Sequence, residues 1–575
     1  MNRRHFITHS LMAATAAISG CVPQRVDRAS QSLPKPKNGL WIDVHAHIFN
    51  AEDLDVYGYA KHGVGDEKWK KIAFGAFDLL LRGLSMTLRC VAPGVARENW
   101  LVDEMLSDMA AKPKRKSNRP MQGEEREDWV DNLLSLIEKH DTTQVRQAKE
   151  VGDAFEADME RCLNGNHLPI EDGRRHVIRE IFVKVGRKLK PSFVSCLANY
   201  RIFNALQLIK NYPQVDAFVA ASMDVDSWYL VGPKTTQGER MMLQSQLMAK
   251  IAVLTEGRII PRTGYCPLRQ VLWNHFPGSK LAPMDPKEVL RCSVEHFGSV
   301  GAKLYPVLGY RPMGNEKMSN EELTEISNHR LLKELNELKK IKSGGKETAQ
   351  KILLDPHDIG RELDGALRKL YHMCETGGMS ITAHTNRTWG PDERMMGRVA
   401  PEFWGDVVKT YQDLHVDMGH FGGIYKGREA YPNADGMGWP EQICRDLFGA
   451  NNGRNHFYAD VSCAEIGDGK KLGAGDLEWL FEHYPIAKSR LMYGSDWHEE
   501  LFPSGARNYF HNWTEAFGGS PGLRKVADVF FGGNAVDFLG LAKGQKARSR
   551  LDAFYTKHKV NADWCTKVDR SHRIA

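Results

Sequence analysis

Eight short apolar runs recur along the chain, and most of them are continuous stretches of Val, Ile, Leu, Ala and aromatic residues rather than strict alternations. Continuous runs of this length are typical of parallel strands that are buried on both faces. The predicted strands cover residues 40–47, 215–224, 258–265, 300–306, 378–385, 414–420, 456–462 and 489–496.

Helix-like segments separate most of these runs, and repeated strand–helix units predict a parallel α/β architecture. With eight strands, the predicted fold is a distorted (β/α)8 TIM barrel that spans residues 40–545. The first connection is far longer than a usual loop, and its charged, helical pattern predicts a helical insertion over residues 50–212 that caps the barrel mouth. A polar helical tail is predicted over residues 546–575.

The N-terminus differs in character from the rest of the chain. Residues 1–21 combine paired arginines with a modest apolar segment that is too short to span a bilayer, so we interpret them as a targeting signal. The stretch RRHFI resembles a twin-arginine export signal, and ISGC, which ends at Cys21, resembles a lipobox. We therefore expect a periplasmic or cell-envelope lipoprotein, lipidated at Cys21, with residues 22–39 as a flexible tether.

Composition and charge exclude several classes of protein. The 78 basic and 72 acidic residues leave a net charge of +6, which is weak over 575 residues, so we expect no nucleic-acid partner. The densest basic run, Lys112–Pro120, is interpreted as a solvated loop. Nine cysteines follow Cys21 without a CxxC pair, which argues against a zinc ribbon and a disulfide scaffold.

Polar residues that occur at the ends of the predicted strands are the candidates for chemistry, because catalytic groups in such barrels lie at the carboxyl ends of strands. On the first strand, His45 and His47 share one face and can reach one ion. Each residue alone has an ordinary structural explanation, but their joint order along the strands favours a site. The set comprises His45, His47, Lys303, His384, His420 and Asp496.

This ordered set resembles the amidohydrolase superfamily, with HxH on strand one and Lys, His, His and Asp on strands four, five, six and eight. The GSD context of Asp496 and the closing FFGGNAVDFLGL, residues 530–541, resemble its amidohydrolase-related branch of metal-dependent hydrolases and decarboxylases. The resemblance implies that His45, His47 and Asp496 bind a divalent metal, with zinc as the expected ion. It further implies attack by metal-bound hydroxide, with Asp496 as the proton shuttle.

The number of metal ions stays open at this point. The stretch AKLYP resembles the strand-four motif of dihydroorotases, in which a carbamylated lysine bridges two metals. In that pattern Lys303 carries CO2, and His384 and His420 bind the second ion. In the single-metal pattern, His384 joins the first ion and His420 acts on the substrate or on water. An unmodified Lys303 would bind a substrate carboxylate or pair with an acid.

Further residues near the strand ends are candidates for substrate binding. Arg311 and Arg387 could hold an anionic substrate in a bidentate manner. His498 could support the metal site or the substrate, and the alternative is a surface residue at the start of a helix. Arg262 is expected to point into the barrel mouth. Asp43 is expected to be a structural residue of the barrel rather than a ligand.

The sequence thus predicts an exported, lipid-anchored, metal-dependent hydrolase that cleaves a C–N or C–O bond of a small molecule. A single-metal, non-oxidative decarboxylase of the same fold is the alternative within this class. A non-catalytic lipoprotein that uses the barrel as a binding module is the alternative from another class. Neither the substrate nor the oligomeric state follows from the sequence.

Overall fold

Eight parallel strands form a barrel in the computed structural model of the chain. The structure describes residues 33, 35, 39–54, 56–57, 76–111, 124–163, 191–225, 237–275, 277–278, 282–319, 321–322, 356–387, 393–423, 438–467, 472–497 and 508–571. The predicted signal (1–21) with Cys21, most of the predicted tether (22–39), the Lys112–Pro120 run and His498 lie outside the described residues.

Each observed strand lies inside one of the eight predicted runs, and every strand residue is buried, as continuous apolar runs require. The strands are β1 (Ile42–His47), β2 (Ala217–Ala221), β3 (Ile259–Gly264), β4 (Gly301–Leu304), β5 (Ser380–His384), β6 (Val416–Gly419), β7 (Phe457–Asp460) and β8 (Leu491–Met492).

The strands pair in sequential order from β1 to β8, each parallel to the next. Hydrogen bonds between β1 and the segment that follows β8 close the barrel, with Asp496 N donating to His45 O at 2.7 Å and His47 N to Trp497 O at 3.3 Å. The distortion is local, because β1 shifts register between Asp43 and Ala46 and β8 has only two residues. The predicted (β/α)8 barrel is confirmed.

Helices fill most of the intervals between the strands, as the strand–helix alternation predicts. They are α1 (Ala76–Val91), α2 (Val95–Ala111), α3 (Glu124–Leu163), α4 (Pro191–Ala198), α5 (Arg201–Asn211), α6 (Gln237–Leu254), α7 (Pro267–His275), α8 (Pro286–His296), α9 (Pro356–Gly377), α10 (Gly405–Thr410), α11 (Trp439–Gln442), α12 (Ala474–His483), α13 (Tyr509–Gly519), α14 (Pro521–Arg524), α15 (Asn534–Leu539), α16 (Lys546–His558) and α17 (Asp563–Ser571). None of the described helices is long and apolar enough to cross a membrane.

The insertion after β1 is helical where the structure describes it, as predicted. Near the start of α3, Arg126 donates to Val215 O at 3.0 Å, just before β2 begins, and farther along Gln144 donates to Ala198 O at 2.8 Å. Helix α3 packs on α4 and α5, and α2 packs on α6. Helices α2 and α3 therefore pack against other helices of the chain, and the expectation that the insertion caps the barrel mouth stays a prediction.

The polar tail after residue 545 forms α16 and α17, which pack under the amino ends of the strands. Trp564 Nε1 donates to Gly257 O at 2.9 Å, and Asp563 pairs with Arg258 at 3.1 Å. Lys567 of α17 and Lys35 of the predicted tether both contact Asp216, at 2.8 and 2.5 Å. Lys35 and helices α16 and α17 thus stabilise the lower end of the barrel, where the strands begin. The carboxyl ends of the strands, where the predicted site residues lie, are at the opposite end.

Candidate metal centre

The two histidines of the HxH motif are held by hydrogen bonds at one ring nitrogen each. His45 Nδ1 lies 2.8 Å from Asp460 Oδ2, and His47 Nδ1 lies 3.2 Å from Ala221 O. Both partners are acceptors, so both Nδ1 atoms donate a hydrogen. In the neutral rings the lone pairs are therefore on Nε2, which is the state that binds a metal ion.

Both Nε2 atoms face the same carboxylate oxygen. Asp496 Oδ1 lies 3.2 Å from His47 Nε2 and 3.5 Å from His45 Nε2. Asp496 follows β8 in the left-handed region, with φ of 54°, which non-glycine residues seldom adopt outside functional sites. The turn brings its side chain to the histidines, and a one-ion donor set of two imidazoles and one carboxylate results.

Burial shifts the pKa values of the three residues in this donor set and so affects their charges. Desolvation lowers the pKa of His45 and of His47, because a buried imidazolium loses its hydration. Burial alone would raise the pKa of Asp496, but the contact with His47 and the other nearby imidazoles outweigh it and hold that pKa well below its usual range. The two Nε2 lone pairs and the Asp496 oxygen repel one another unless a positive charge lies between them. Protons are poorly suited to supply it, because burial disfavours protonation of both rings. The donor set therefore fits a divalent cation.

Lys303 belongs to the same cluster, as predicted from its position on β4. Its Nζ lies 2.5 Å from His45 Nε2, and the side chain is fully buried. Burial lowers the pKa of Lys303 to about 8, although Asp496 and Asp460 favour the charged form. Both an ammonium that donates to His45 and a neutral amine open to carbamylation are chemically accessible at this position.

His384 and His420 form a second pair of imidazoles beside the first. His420 Nε2 lies 3.0 Å from His384 Nδ1, so one of these nitrogens carries the hydrogen that joins the rings. Burial lowers the pKa of both histidines. The His45 and His420 rings are 4.9 Å apart, and Tyr305 stands between His47 and His384 at about 6 Å from each ring. His384 contacts His420, while the His45, His47 and Asp496 group forms without it.

Sequence reasoning missed the residues that support the cluster from strand β7. Asp460, the last residue of β7, accepts from His45 Nδ1 and from the backbone amides of His420 and Ser462, at 3.2 and 2.9 Å. The Ser462 hydroxyl lies 3.0 Å from His45 Nδ1 and 2.9 Å from His420 Nδ1. The rule that selected the other strand ends also applies to HFYADVS and would have found Asp460.

Two glycines allow neighbouring strands to approach His45. A Cβ on Gly494 would lie 3.0 Å from His45 Cβ and 3.2 Å from Asp460 Oδ1. A Cβ on Gly419 would lie 2.9 Å from Ala383 O and 3.1 Å from His45 Cε1. Both positions have to lack a side chain, because only then do the ends of β6 and β8 approach the imidazole.

Two of the remaining candidates, Arg311 and Arg387, lie in the segments that follow β4 and β5. Arg311 is paired with Glu322 at 2.7 Å and stacks on Phe403, and Arg387 is partly exposed three residues after His384. Their roles in substrate binding stay predictions, as does that of His498. The prediction that Arg262 points into the mouth is wrong, because its guanidinium donates to Ser380 O, at the amino end of β5, at 3.2 Å.

Asp43 has the structural role expected of it. It lies below the histidines and accepts from the backbone amides of His45 and Ser495, both at 3.1 Å. Burial raises the pKa of Asp43 to about 7. It joins β1 to the segment that carries Asp496 and contributes no ligand to the group that forms there.

No family model matches the chain, and no curated protein matches it. Similar solved structures include an amidohydrolase II, with 12% identity, coverage of 59% of this chain and 88% of that chain, and a TM-score of 0.33. A 2,6-dihydroxybenzoate decarboxylase in complex with 2,6-dihydroxybenzoate has 12% identity, 58% and 87% coverage, and a TM-score of 0.31. A 5-carboxyvanillate decarboxylase from Novosphingobium aromaticivorans with bound manganese has 11% identity, 58% and 80% coverage, and a TM-score of 0.29.

These names agree with the branch that the sequence resembles. With identities of 11 to 12% and TM-scores below 0.35, the similarities do not decide the reaction of this chain. The chemistry has to follow from its own side chains.

Proposed function

We propose that the protein is a metal-dependent hydrolase that cleaves a C–N or C–O bond of a small molecule at the carboxyl ends of the barrel strands. One observation carries this proposal: His45 and His47, each anchored through Nδ1, direct Nε2 to the same oxygen of Asp496. Such a donor set is suited to one divalent cation with open coordination positions.

His45, His47 and Asp496 would hold the cation, with zinc as the proposed ion. When bound, the cation would act as a Lewis acid and make water a better nucleophile at neutral pH. The protein has to supply orientation, proton transfer and exclusion of solvent. Asp460 and Ala221 orient the two histidines through their Nδ1 atoms.

Proton transfer is assigned to Asp496 and His420. Asp496 is a carboxylate, so it can accept a proton from the attacking water and return it to the leaving group. The ring of His420 is buried, near neutral pH it lacks a charge, and it is bonded to both Ser462 and His384. It can therefore move a proton along this chain of hydrogen bonds or bind the substrate carbonyl.

A non-oxidative decarboxylase is the second candidate, and Lys303 is the observation that favours it. An unmodified, buried amine 2.5 Å from His45 Nε2 places a cation where a substrate carboxylate could be oriented. A carbamylated Lys303 would instead be an anion and would favour the two-metal hydrolase. The mass of the intact protein, measured under native conditions, separates the two states by the mass of one CO2.

The decisive experiment combines metal analysis with substrate screening. We expect the purified wild-type chain to bind near-stoichiometric divalent metal, and His47→Ala to lose it together with activity. His296→Ala is the matched control, since this histidine is 59% exposed in its side chain and lies on the outer helix α8. Amide, ester and lactone substrates test the hydrolase, and aromatic or unsaturated carboxylic acids test the decarboxylase. Wild-type protein without metal, or His47→Ala with full metal content, would contradict the proposal and favour a binding module.

We further propose export by the twin-arginine route and lipidation at Cys21. The support is confined to the paired arginines and the ISGC stretch of the first 21 residues. Wild-type protein should fractionate with membranes and be released by detergent, whereas Cys21→Ala should fractionate with soluble envelope proteins. Identical fractionation of the two proteins would contradict lipidation.

A further inference from the structure

Three consecutive strands end in a side chain that turns toward the same point above the barrel. His420 after β6, Cys463 after β7 and Asp496 after β8 all have positive φ, at 69°, 61° and 54°. A non-glycine residue in this region is strained and persists only where the surroundings enforce it. The sulfur, a ring nitrogen of His420 and a carboxylate oxygen of Asp496 all lie within 4.8 Å of one another.

The two oxygens of Asp496 face different partners. Oδ1 lies 3.2 and 3.5 Å from the Nε2 atoms of His47 and His45, whereas Oδ2 lies 2.9 Å from Cys463 Sγ. A carboxylate with a potential metal ligand beside each oxygen has the arrangement of a bridging ligand between two ions. The sulfur side of the carboxylate is not used by the donor set assigned to the first cation.

A neighbouring group of His45, His420 and Asp460 does not qualify as a second site. Both oxygens of Asp460 already accept hydrogen bonds, from the amides of His420 and Ser462 and from His45 Nδ1. Asp460 is thus saturated by donors that orient the ligands. Cys463 is different, because its thiol can lose a proton and become a ligand.

We propose that Asp496 bridges two cation positions, and that the Cys463 thiolate and His420 hold the second. This inference rests on the proposed function, which places the first cation between His45, His47 and Asp496. With a second ion bound, His420 and both oxygens of Asp496 would be ligands, so the proton transfer assigned to them belongs to the one-ion state. The thiol of Cys463 releases its proton to solvent when the ion binds, so the bond that forms is from sulfur to metal. Thiolate and imidazole together select a borderline ion such as Zn²⁺ or Co²⁺ over Mg²⁺ or Mn²⁺. Carbamylation of Lys303 is not needed for this arrangement.

Titration of the purified, metal-free full-length chain with Co²⁺ under reducing conditions tests the second position. We expect two Co²⁺ per wild-type chain, and a thiolate-to-cobalt charge-transfer absorption in the near ultraviolet. Cys463→Ser should bind one Co²⁺ and lack that absorption. Cys374→Ser, at a buried free cysteine in α9, is the control and should match the wild type.

A His47→Ala variant distinguishes the failure of this inference from the failure of the proposed function. If the wild type binds one Co²⁺ that His47→Ala removes, and Cys463→Ser changes neither stoichiometry nor spectrum, the second position is refuted and the first is kept. If the wild type binds no Co²⁺, both are refuted. Loss of the charge-transfer absorption in Cys463→Ser, with one Co²⁺ retained, supports both.

Discussion

The two ends of the barrel differ in how their buried charged groups are paired. At the lower end, Asp216 is surrounded by Lys35, Lys567 and Arg126, and it also accepts from the backbone amide of Trp41 at 2.9 Å. Each charge there faces an opposite charge. At the upper end, lone pairs of His45 and His47 face a carboxylate oxygen, and the amine of Lys303 faces His45.

The difference separates groups that hold the fold from groups that are arranged for a ligand. A stable fold needs an opposite charge beside each buried charge, and the lower end meets this requirement. At the upper end Lys303 supplies one positive charge beside His45, and the site where the two Nε2 atoms face Asp496 is left to a bound cation or to protons. The same chemical change, from Asp to Asn, should therefore have different consequences at the two ends.

The largest effect is expected for Asp496→Asn at the upper end. Loss of the carboxylate removes a metal ligand and the proposed proton shuttle, so turnover of a hydrolysed substrate should fall ~10²–10⁴-fold. Steady-state kinetics with a substrate from the screen measures it. The free energy of unfolding should fall less than for the matched change at Asp216. Wild-type turnover in this variant would remove Asp496 from the chemistry.

Asp216→Asn tests the comparison at the lower end of the barrel. The change leaves Lys35 and Lys567 without their buried partner, so the free energy of unfolding should fall by ~3–5 kcal/mol. Urea denaturation measures it, with Asp131→Asn as control, because Asp131 is half-exposed and pairs with Lys210 at the surface. The folded fraction should keep its activity. Wild-type stability in Asp216→Asn would show that the lower network contributes nothing.

Asp460→Asn tests which buried carboxyl groups of the upper end support metal binding. The amide would still fill the space but would no longer hold His45 Nδ1 as a carboxylate does, so metal affinity should fall ~10–100-fold. Asp417→Asn is the control, because burial and the charge of Asp460 raise the pKa of Asp417 well above its usual value. Its Oδ2 accepts from Thr382 at 2.9 Å, and an amide oxygen can accept in the same way. Competition with a chelator measures both affinities, and equal effects of the two changes would contradict the role of Asp460.

The smallest expected effect is a pH dependence that belongs to the lower end. Burial alone would raise the pKa of Asp216, but Lys35 and Lys567 outweigh it and lower the pKa from 3.8 to about 2. The contribution of about 2 kcal/mol is present above pH 3.8 and is lost as the pH falls through about 2. The stability difference between wild type and Asp216→Asn should therefore shrink by this amount in acid. A difference that is constant down to pH 2 would contradict the shift.

The strand pattern and the strand-end residues could be predicted because they depend on local order. Continuous apolar runs locate buried parallel strands, and a polar residue at the end of such a run lies at the barrel mouth. His45, His47, Lys303, His420 and Asp496 were found in this way, and they do converge. The role of Arg262 was not predicted correctly, because a side chain within a strand can point toward either end of the barrel.

The sequence by itself determined eight buried strands, their parallel order and the set of residues at their carboxyl ends, because side-chain period and burial are properties of local composition. The tertiary structure alone decided which of those residues meet. It placed His45 and His47 against Asp496, His384 against His420 and Cys463 against the second oxygen of Asp496. These contacts join positions more than 30 residues apart, and their distances depend on strand register and on the positive φ values that turn the last residues inward.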